Sequence, residues 1–179
     1  MFVITSLVFA VYLFPGMFGA PLHFVEGIAP PRHHSEDGFH FIRGEAEPAF
    51  VGDDAEMRLF KEYEQHMHVI QDGSIKVFHD TLNGFEFAQK MNKPVLLDFT
   101  GYSCENCRKT ESRIWLDKTI KPMLQNDFVI VSLYVDDKEL LPESEQYYSE
   151  ESNGKIKTVG NKWADYQIKR YKQISQPLY

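Results

Sequence analysis

Cysteine is scarce in this chain, with two among 179 residues. A small scaffold held together by several disulfide bonds is therefore excluded, and the core must come from apolar packing. The 26 acidic and 19 basic residues give a formal charge of −7. Because no basic run offers a surface that neutralises phosphates, we expect no nucleic-acid partner. Internal repeats are also absent, and an apolar content of 43% fits one medium-sized globular domain with an additional segment.

Charged side chains are missing from residues 1–22, MFVITSLVFAVYLFPGMFGAPL. A helix that crosses a bilayer needs about 20 such residues, so the segment predicts one transmembrane helix that attaches the protein to a membrane. A signal peptide, which normally begins with basic residues, and a buried apolar helix are the alternatives. Residues 23–72 are predicted to form a linker, with a short helix over residues 55–70.

Residues 73–179 alternate between strand and helix patterns, which indicates an α/β domain with crossover connections. Strands are predicted at residues 74–78, 94–99 and 128–135. Helices are predicted at residues 84–92, with Thr81 or Asn83 as the cap, and at 104–116, 117–127 and 161–171. Residues 136–160 are acidic and aperiodic, and they predict an exposed insertion with a small hairpin around Asn153 and Gly154.

Both cysteines belong to one C-x-x-C motif, Cys104 and Cys107, at the predicted junction of a strand and a helix. The start of a helix brings unsatisfied N–H groups and the positive end of the helix dipole to the first sulfur, which favours its thiolate. The second sulfur, one turn further on, is placed to attack a mixed disulfide formed by the first. The motif therefore predicts a nucleophile at Cys104 and a resolving thiol at Cys107.

A metal site and a purely structural disulfide are the alternatives for this pair. Structural zinc needs four ligands, and the other candidates are the distant pairs His33 with His34 and His66 with His68. A disulfide that closes so short a loop adds little restraint. The pattern thus favours a redox pair, with no metal and no cofactor other than the disulfide itself.

The stretch VLLDFTGYSCENC resembles the signature of thioredoxin-fold proteins, in which an apolar strand, an aspartate and an aromatic residue precede the cysteine pair. Residues 1–22 and 75–179 together resemble the C-terminal part of the DsbD family of thiol:disulfide interchange proteins. In that family a membrane domain ends in an apolar helix, and a periplasmic thioredoxin-like domain follows. The resemblance implies a transmembrane helix followed by a thioredoxin-like fold, located in the bacterial inner membrane with the folded domain in the periplasm.

Four site residues follow from the resemblance: the active-site cysteines, the buried acid Asp98 beneath them, and a second acid at Glu111. Two carboxylates near a sulfur oppose thiolate formation, which favours a reductase over an oxidase. Asp98 is also a candidate proton relay for Cys107. The residues alone leave other interpretations open, because Asp98 also fits a buried hydrogen bond and Glu111 fits a solvated helix position. Arg108 and Lys109 are expected on the solvated helix face.

Pro177 resembles the cis-proline that thioredoxin-fold proteins place against the disulfide. Gln176 and Tyr102 differ from the residues usual in thioredoxins, and we expect these three positions to contact protein partners. The chain ends two residues after Pro177. The resemblance therefore implies a fold that is incomplete at its C-terminus, without the usual final hairpin and helix.

The function expected from these features is thiol–disulfide exchange, in the direction of protein-disulfide reduction. The resemblance implies that electrons arrive from a cysteine pair in a membrane domain absent from this chain. They would leave to periplasmic disulfide proteins, including those of cytochrome c maturation. The alternatives are a stand-alone membrane-anchored thioredoxin-like reductase and a non-enzymatic binding module.

Overall fold

The computed structural model describes residues 2–14, 54–70 and 74–179 of the chain. Its first element is helix α1 (Phe2–Leu13). Within the described ranges, no helix combines the length and hydrophobicity needed to cross a membrane. Residues 15–22 of the predicted span, and the predicted linker as far as residue 53, lie outside the described residues. The transmembrane helix therefore stays a prediction.

The folded domain begins earlier than predicted. Helix α2 (Asp54–Tyr63) and a short 3-10 turn (Glu64–His66) lead into strand β1 (Met67–Ile70). The single helix predicted over residues 55–70 is thus wrong after Tyr63. Strand β1 pairs antiparallel with β2 (Ile75–Phe78), and this tertiary pairing overrides the helical spacing that extends to Met67. The sheet consequently starts inside the segment predicted as linker.

A four-stranded sheet in the order β1-β2-β4-β3 forms the centre of the domain. Strand β3 spans Val95–Thr100, and strand β4 spans Val129–Tyr134. Strands β2, β4 and β3 run parallel to one another, as the predicted crossovers require. Every residue of β4 is buried, which is typical of a central parallel strand covered on both faces.

Four helices follow the sheet strands in the chain. They are α3 (Thr81–Met91), α4 (Glu105–Thr110), α5 (Ile120–Asn126) and α6 (Val159–Tyr171). A single π-helical turn, Glu111–Trp115, continues α4. The cap of α3 is Asp80 instead of Thr81 or Asn83, because its carboxylate accepts a hydrogen bond from the Asn83 N–H at 2.7 Å.

Two apolar clusters, one on each face of the sheet, form the core. The first contains Phe87 of α3 together with Phe78 and Val131 of the sheet. The second contains Trp115 of the π turn and Leu124 of α5, packed on Val77 and Ile130. The alternation of side chains along each strand separates these two sets. Helix α4 and the π turn therefore cover the face that carries the even-numbered residues of β3 and β4.

The predicted hairpin is confirmed as strands β5 (Tyr147–Ser149) and β6 (Gly154–Ile156). The insertion that contains it, residues 136–160, is not wholly exposed, since Leu141, Ser149 and Ile156 are buried. The buried carboxylate of Asp165 on α6 anchors it. That carboxylate accepts hydrogen bonds from Tyr147 and Ser152, each at 2.7 Å, and from Ser149. The acidic insertion thus folds back on α6.

Candidate active site

A disulfide bond joins Cys104 and Cys107 at the start of α4. Cys104 caps the helix, and its sulfur accepts a hydrogen bond from the Cys107 N–H at 3.1 Å. The two sulfurs differ in accessibility, because Cys104 is partly exposed whereas only 1% of Cys107 is exposed. A partner thiol or disulfide can therefore reach Cys104 first, which fits the predicted nucleophile and resolving thiol.

The loop before Cys104 is fastened to the end of β4 by Asp136. Its carboxylate accepts hydrogen bonds from the N–H groups of Tyr102 (2.8 Å) and Ser103 (2.9 Å). A Cβ atom at Gly101 would lie 3.1 Å from both carboxylate oxygens, so this close approach favours glycine. Sequence analysis missed Asp136. The available signal was an acid directly after a central strand, at the sheet edge where the cysteine loop also begins.

Tyr102 lies between this loop and the sheet. Its ring stacks on the ring of Tyr134 with centroids 4.2 Å apart. Burial, and then the charges of Asp137 and Asp136, raise the pKa of Tyr102 to about 12, so its phenol is neutral at physiological pH. Tyr102 is also partly exposed and two residues from Cys104, which suits a position predicted to contact partners.

Asp98 lies in β3 directly opposite Ser132 of β4. The Ser132 hydroxyl donates a hydrogen bond to the carboxylate at 2.9 Å, and only 1% of Asp98 is exposed. The buried hydrogen bond considered for this aspartate is therefore present. Burial, and then the charge of Glu111, raise the pKa of Asp98 to about 7, against the opposing effects of Ser132 and Arg108. Such a carboxyl group both binds and releases a proton near neutral pH.

Glu111 and Arg108 form a buried ion pair on the face of the sheet that carries Asp98. Arg108 Nη2 lies 2.7 Å from Glu111 Oε1, and the two residues are 3% and 2% exposed. The same nitrogen donates to the Thr100 hydroxyl at 2.8 Å and to the Gly101 carbonyl at 3.4 Å. The solvated positions considered for Glu111 and expected for Arg108 are therefore wrong. The i, i+3 spacing of the two opposite charges was the available signal.

Lys109 does lie on the solvated face, where it forms an ion pair with Glu105. The difference from Arg108 arises because consecutive helix residues point about 100° apart. A long cation is buried only where a partner compensates for its desolvation, as Glu111 does for Arg108.

The peptide bond between Gln176 and Pro177 is cis, as the resemblance implied. Leu178, the next residue, pairs antiparallel with Phe99 of β3 through two backbone hydrogen bonds of 2.9 and 3.2 Å. The side chain of Gln176 donates to Gln167 of α6 at 3.2 Å. Gln176, predicted to contact partners, is thus already engaged in holding the proline segment against α6. Pro177 itself lies in the segment that runs beside the strand carrying Asp98.

Metal ligands were considered at the histidine pairs. Within the part of the chain that the structure describes, no three His, Cys, Asp or Glu side chains are grouped to hold a metal ion. His66 instead contacts the Asn83 side chain at 3.2 Å. His33 and His34 lie outside the described residues.

Residues 79–158 match a family model described as thioredoxin-like. The matched stretch is less than half of the chain and contains both cysteines, Asp98 and Glu111, whereas β1, β2 and the cis-proline lie outside it. None of the curated proteins compared with the chain matches it.

The match and the mixed sheet with helices on both faces support a thioredoxin-like α/β fold. Residues 79–158 are thus similar to a thioredoxin-like domain, and the disulfide-bonded cysteine pair within them suggests a thiol–disulfide oxidoreductase. Nothing in the match distinguishes the DsbD family, so that narrower resemblance stays a prediction.

Proposed function

We propose that this protein is a disulfide reductase that works by dithiol–disulfide exchange. The observation that carries the proposal is the pairing of an accessible with a buried sulfur, on the same side of the sheet as the buried carboxyl group of Asp98, whose pKa burial raises to about 7. A partner thiol or disulfide reacts with Cys104 because that sulfur is accessible. The buried sulfur of Cys107 reacts only within the protein, with the sulfur of Cys104. The Asp98 carboxyl group can accept and return a proton at neutral pH, because its pKa lies close to that pH.

The disulfide form described above is the state that accepts electrons. A thiolate of a donor dithiol attacks the sulfur of Cys104, the bond to Cys107 breaks, and an intermolecular disulfide forms. The Cys107 thiolate takes up a proton from Asp98. The second donor thiolate then attacks the donor sulfur of the intermolecular disulfide and releases the Cys104 thiolate. Two electrons have passed to the protein, and the donor leaves as a disulfide.

In the second half of the cycle, the Cys104 thiolate attacks a substrate disulfide, forms a mixed disulfide and releases one substrate thiolate. Cys107 transfers its proton to the Asp98 carboxylate and attacks the sulfur of Cys104. The mixed disulfide breaks, the second substrate thiolate leaves, and the Cys104–Cys107 bond is restored. Each turnover converts one substrate disulfide to two thiols.

Buried negative charge supports the reducing direction. Because Arg108 balances the charge of Glu111, ionisation of Asp98 gives this cluster a net negative charge, which repels a thiolate formed nearby. A thiol made less acidic in this way is the stronger nucleophile once deprotonated. The same charges make the dithiol form relatively less stable at high pH, which favours donation of electrons to a partner.

We propose the donor and acceptors implied by the resemblance to the DsbD family. The donor is a cysteine pair in a membrane domain, and the acceptors are periplasmic disulfide proteins, including those of cytochrome c maturation. The apolar residues 1–22 support attachment to the bacterial inner membrane, with the thioredoxin-like domain in the periplasm.

Reduction of insulin disulfides by the full chain, with dithiothreitol as the donor dithiol, tests the proposal. The wild type should accelerate the reaction over dithiothreitol alone, and Cys104→Ser should lose the acceleration. Arg113→Gln, an exposed substitution on the adjoining π turn, is the matched control and should retain it. Equal rates for wild type and Cys104→Ser would overturn the proposed function.

A further inference from the structure

Arg108 is a buried cation that takes no part in the bond exchange between the sulfurs. Its Nη2 atom makes all of the hydrogen bonds given above for this side chain. Its Nε and Nη1 atoms are buried and, among the described residues, have no hydrogen-bond partner. Burying a guanidinium whose donors are incompletely satisfied is unfavourable. Arg108 is nevertheless buried beside the cysteine pair, and this points to an electrostatic role for its charge.

The charges around Arg108 come from several elements packed on one face of the sheet. Besides Arg108, the ionisable groups among the described residues that interact with Asp98 are Glu111 of the π turn, Tyr134 of β4 and Tyr179 at the C-terminus. Burial raises the pKa of both tyrosines above the ordinary value, so their phenols stay neutral at physiological pH. The charge balance of the cluster is therefore set by two carboxyl groups and one guanidinium.

Two carboxyl groups that share a poorly solvated region compete for protons, and one cation cannot serve both equally. The geometry resolves this competition. Arg108 lies 2.7 Å from Glu111, whereas the hydrogen bond to Asp98 comes from the neutral hydroxyl of Ser132. The contacts of Arg108 with Thr100 and Gly101 hold the guanidinium at the end of β3, where its partners are groups other than Asp98.

We propose that Arg108 is a positioning residue for the exchange reaction, in which its guanidinium holds Glu111 ionised so that Asp98 alone takes up and releases the proton. This inference rests on the proposed function and extends it by assigning the two acids different tasks. Glu111 is a fixed charge, and Asp98 is the exchanging group. Without the guanidinium, the proton would be shared between the two carboxyl groups.

The test follows the carboxyl ¹³C resonances of Asp98 and Glu111 against pH in the full chain. The disulfide form is used because its cysteines do not titrate. In the wild type, Asp98 should titrate near pH 7, while Glu111 should keep the shift of an ionised carboxylate down to pH 5. This measurement uses the wild type alone, so it does not depend on whether a variant folds. A Glu111 resonance that titrates near neutral pH while Asp98 remains ionised would overturn the proposal.

Substitutions add a double-mutant cycle. Arg108→Met should raise the Asp98 midpoint by about one pH unit, a tenfold change in its ionisation equilibrium. Glu111→Gln should lower the midpoint, and combining the two should bring it back towards the wild-type value. Lys109→Met removes the neighbouring exposed cation as a matched control and should leave the midpoint in place. An Asp98 midpoint that Arg108→Met leaves unchanged, in a variant with a native circular dichroism spectrum, would overturn the proposal.

Activity separates this inference from the proposed function. If Arg108 acts through Asp98, the pH profile of insulin reduction should move in Arg108→Met in the same direction as the carboxyl midpoint. A general loss of packing would lower the rate without moving the profile, and that result would contradict the proposal. If Cys104→Ser matched the wild type in rate, the reductase function would fail, while the carboxyl titrations would still decide which acid holds the proton.

Discussion

Replacing Asp98 with asparagine removes a charge that burial makes unfavourable in the folded protein. Folding raises the pKa of this group from 3.8 to about 7, roughly three pH units. At about 1.4 kcal/mol per unit, the full effect on the free energy of unfolding is about 4 kcal/mol. Since the folded state binds the extra proton between these two values, the contribution of Asp98 to stability is largest below pH 3.8, falls as the pH rises towards 7 and levels off above it.

The substitution should therefore have an effect that grows with pH. Asparagine keeps an acceptor for the Ser132 hydroxyl, but its amide N–H groups need new partners, which costs about 1–3 kcal/mol at every pH. That cost does not change with pH, whereas the wild type loses stability as Asp98 ionises. The free energy of unfolding of Asp98→Asn, relative to that of the wild type, should therefore rise by about 2–3 kcal/mol between pH 5 and pH 8.5. Urea unfolding of the disulfide form, followed by circular dichroism at several pH values, measures the difference.

The surface substitution Asp127→Asn serves as the control and should give no comparable trend. A difference between Asp98→Asn and the wild type that stays flat from pH 5 to pH 8.5, or that falls, would refute the reasoning. It would mean that the Asp98 carboxyl is not kept protonated by its surroundings, and the assignment of a proton acceptor near neutral pH would fail with it.

Three further substitutions probe the scaffold around the site. Asp136→Ala removes the acceptor for the Tyr102 and Ser103 N–H groups and loosens the cysteine loop. It should slow insulin reduction about tenfold with little change in thermal stability. An unchanged rate would contradict this prediction. Gly84→Ala places a Cβ atom 2.5 Å from a Val131 methyl group. It should lower the free energy of unfolding, measured by urea denaturation, by about 1–3 kcal/mol. A gain in stability would show that the contact between α3 and β4 relaxes easily. Asp165→Ala removes the anchor of the β5–β6 hairpin and should speed amide hydrogen exchange at residues 147–156 more than in β4; uniform exchange would argue against an anchor.

The central strands and the cysteine motif were predictable because their signals are local. The apolar run at residues 128–135 is long enough to exclude most alternatives, and it forms β4. Asn153 and Gly154 mark the hairpin because both residues suit a tight turn. The cis peptide bond before Pro177 was available only from the resemblance, since the residues around it carry no comparable local signal.

Errors arose where tertiary contacts decide between similar local patterns. Met67 fits the helical spacing of α2, but it lies in β1 because a neighbouring strand offers its backbone partners. Arg108 belongs to a residue type that is usually solvated, and it is buried because Glu111 and Thr100 face it from different elements. Asp80 caps α3 instead of Thr81 or Asn83, and cap propensity does not distinguish clearly among these three nearby residues.

The chemical roles of the acids depend on the same kind of contact. Asp98 was identified from its place in the motif, but its high pKa follows from burial and from Glu111, which lies on a different element, directly after α4. Asp136 lies outside the motif and supports the cysteine loop from the turn that follows β4. A single sequence therefore does not reveal those site residues that contact the cysteine motif from distant parts of the chain.

The proposed exchange reaction requires Cys104 as the attacking sulfur and Cys107 as the resolving one. Each cysteine is therefore replaced singly by serine in the full chain, the remaining thiol is reduced, and the protein is incubated with a peptide that contains one disulfide. Intact-mass spectrometry should show a stable mixed disulfide with Cys107→Ser, because no resolving thiol releases the peptide. Cys104→Ser should form little adduct, since its remaining sulfur is buried. Equal adduct formation by both variants, or adduct on Cys107 alone, would contradict the account.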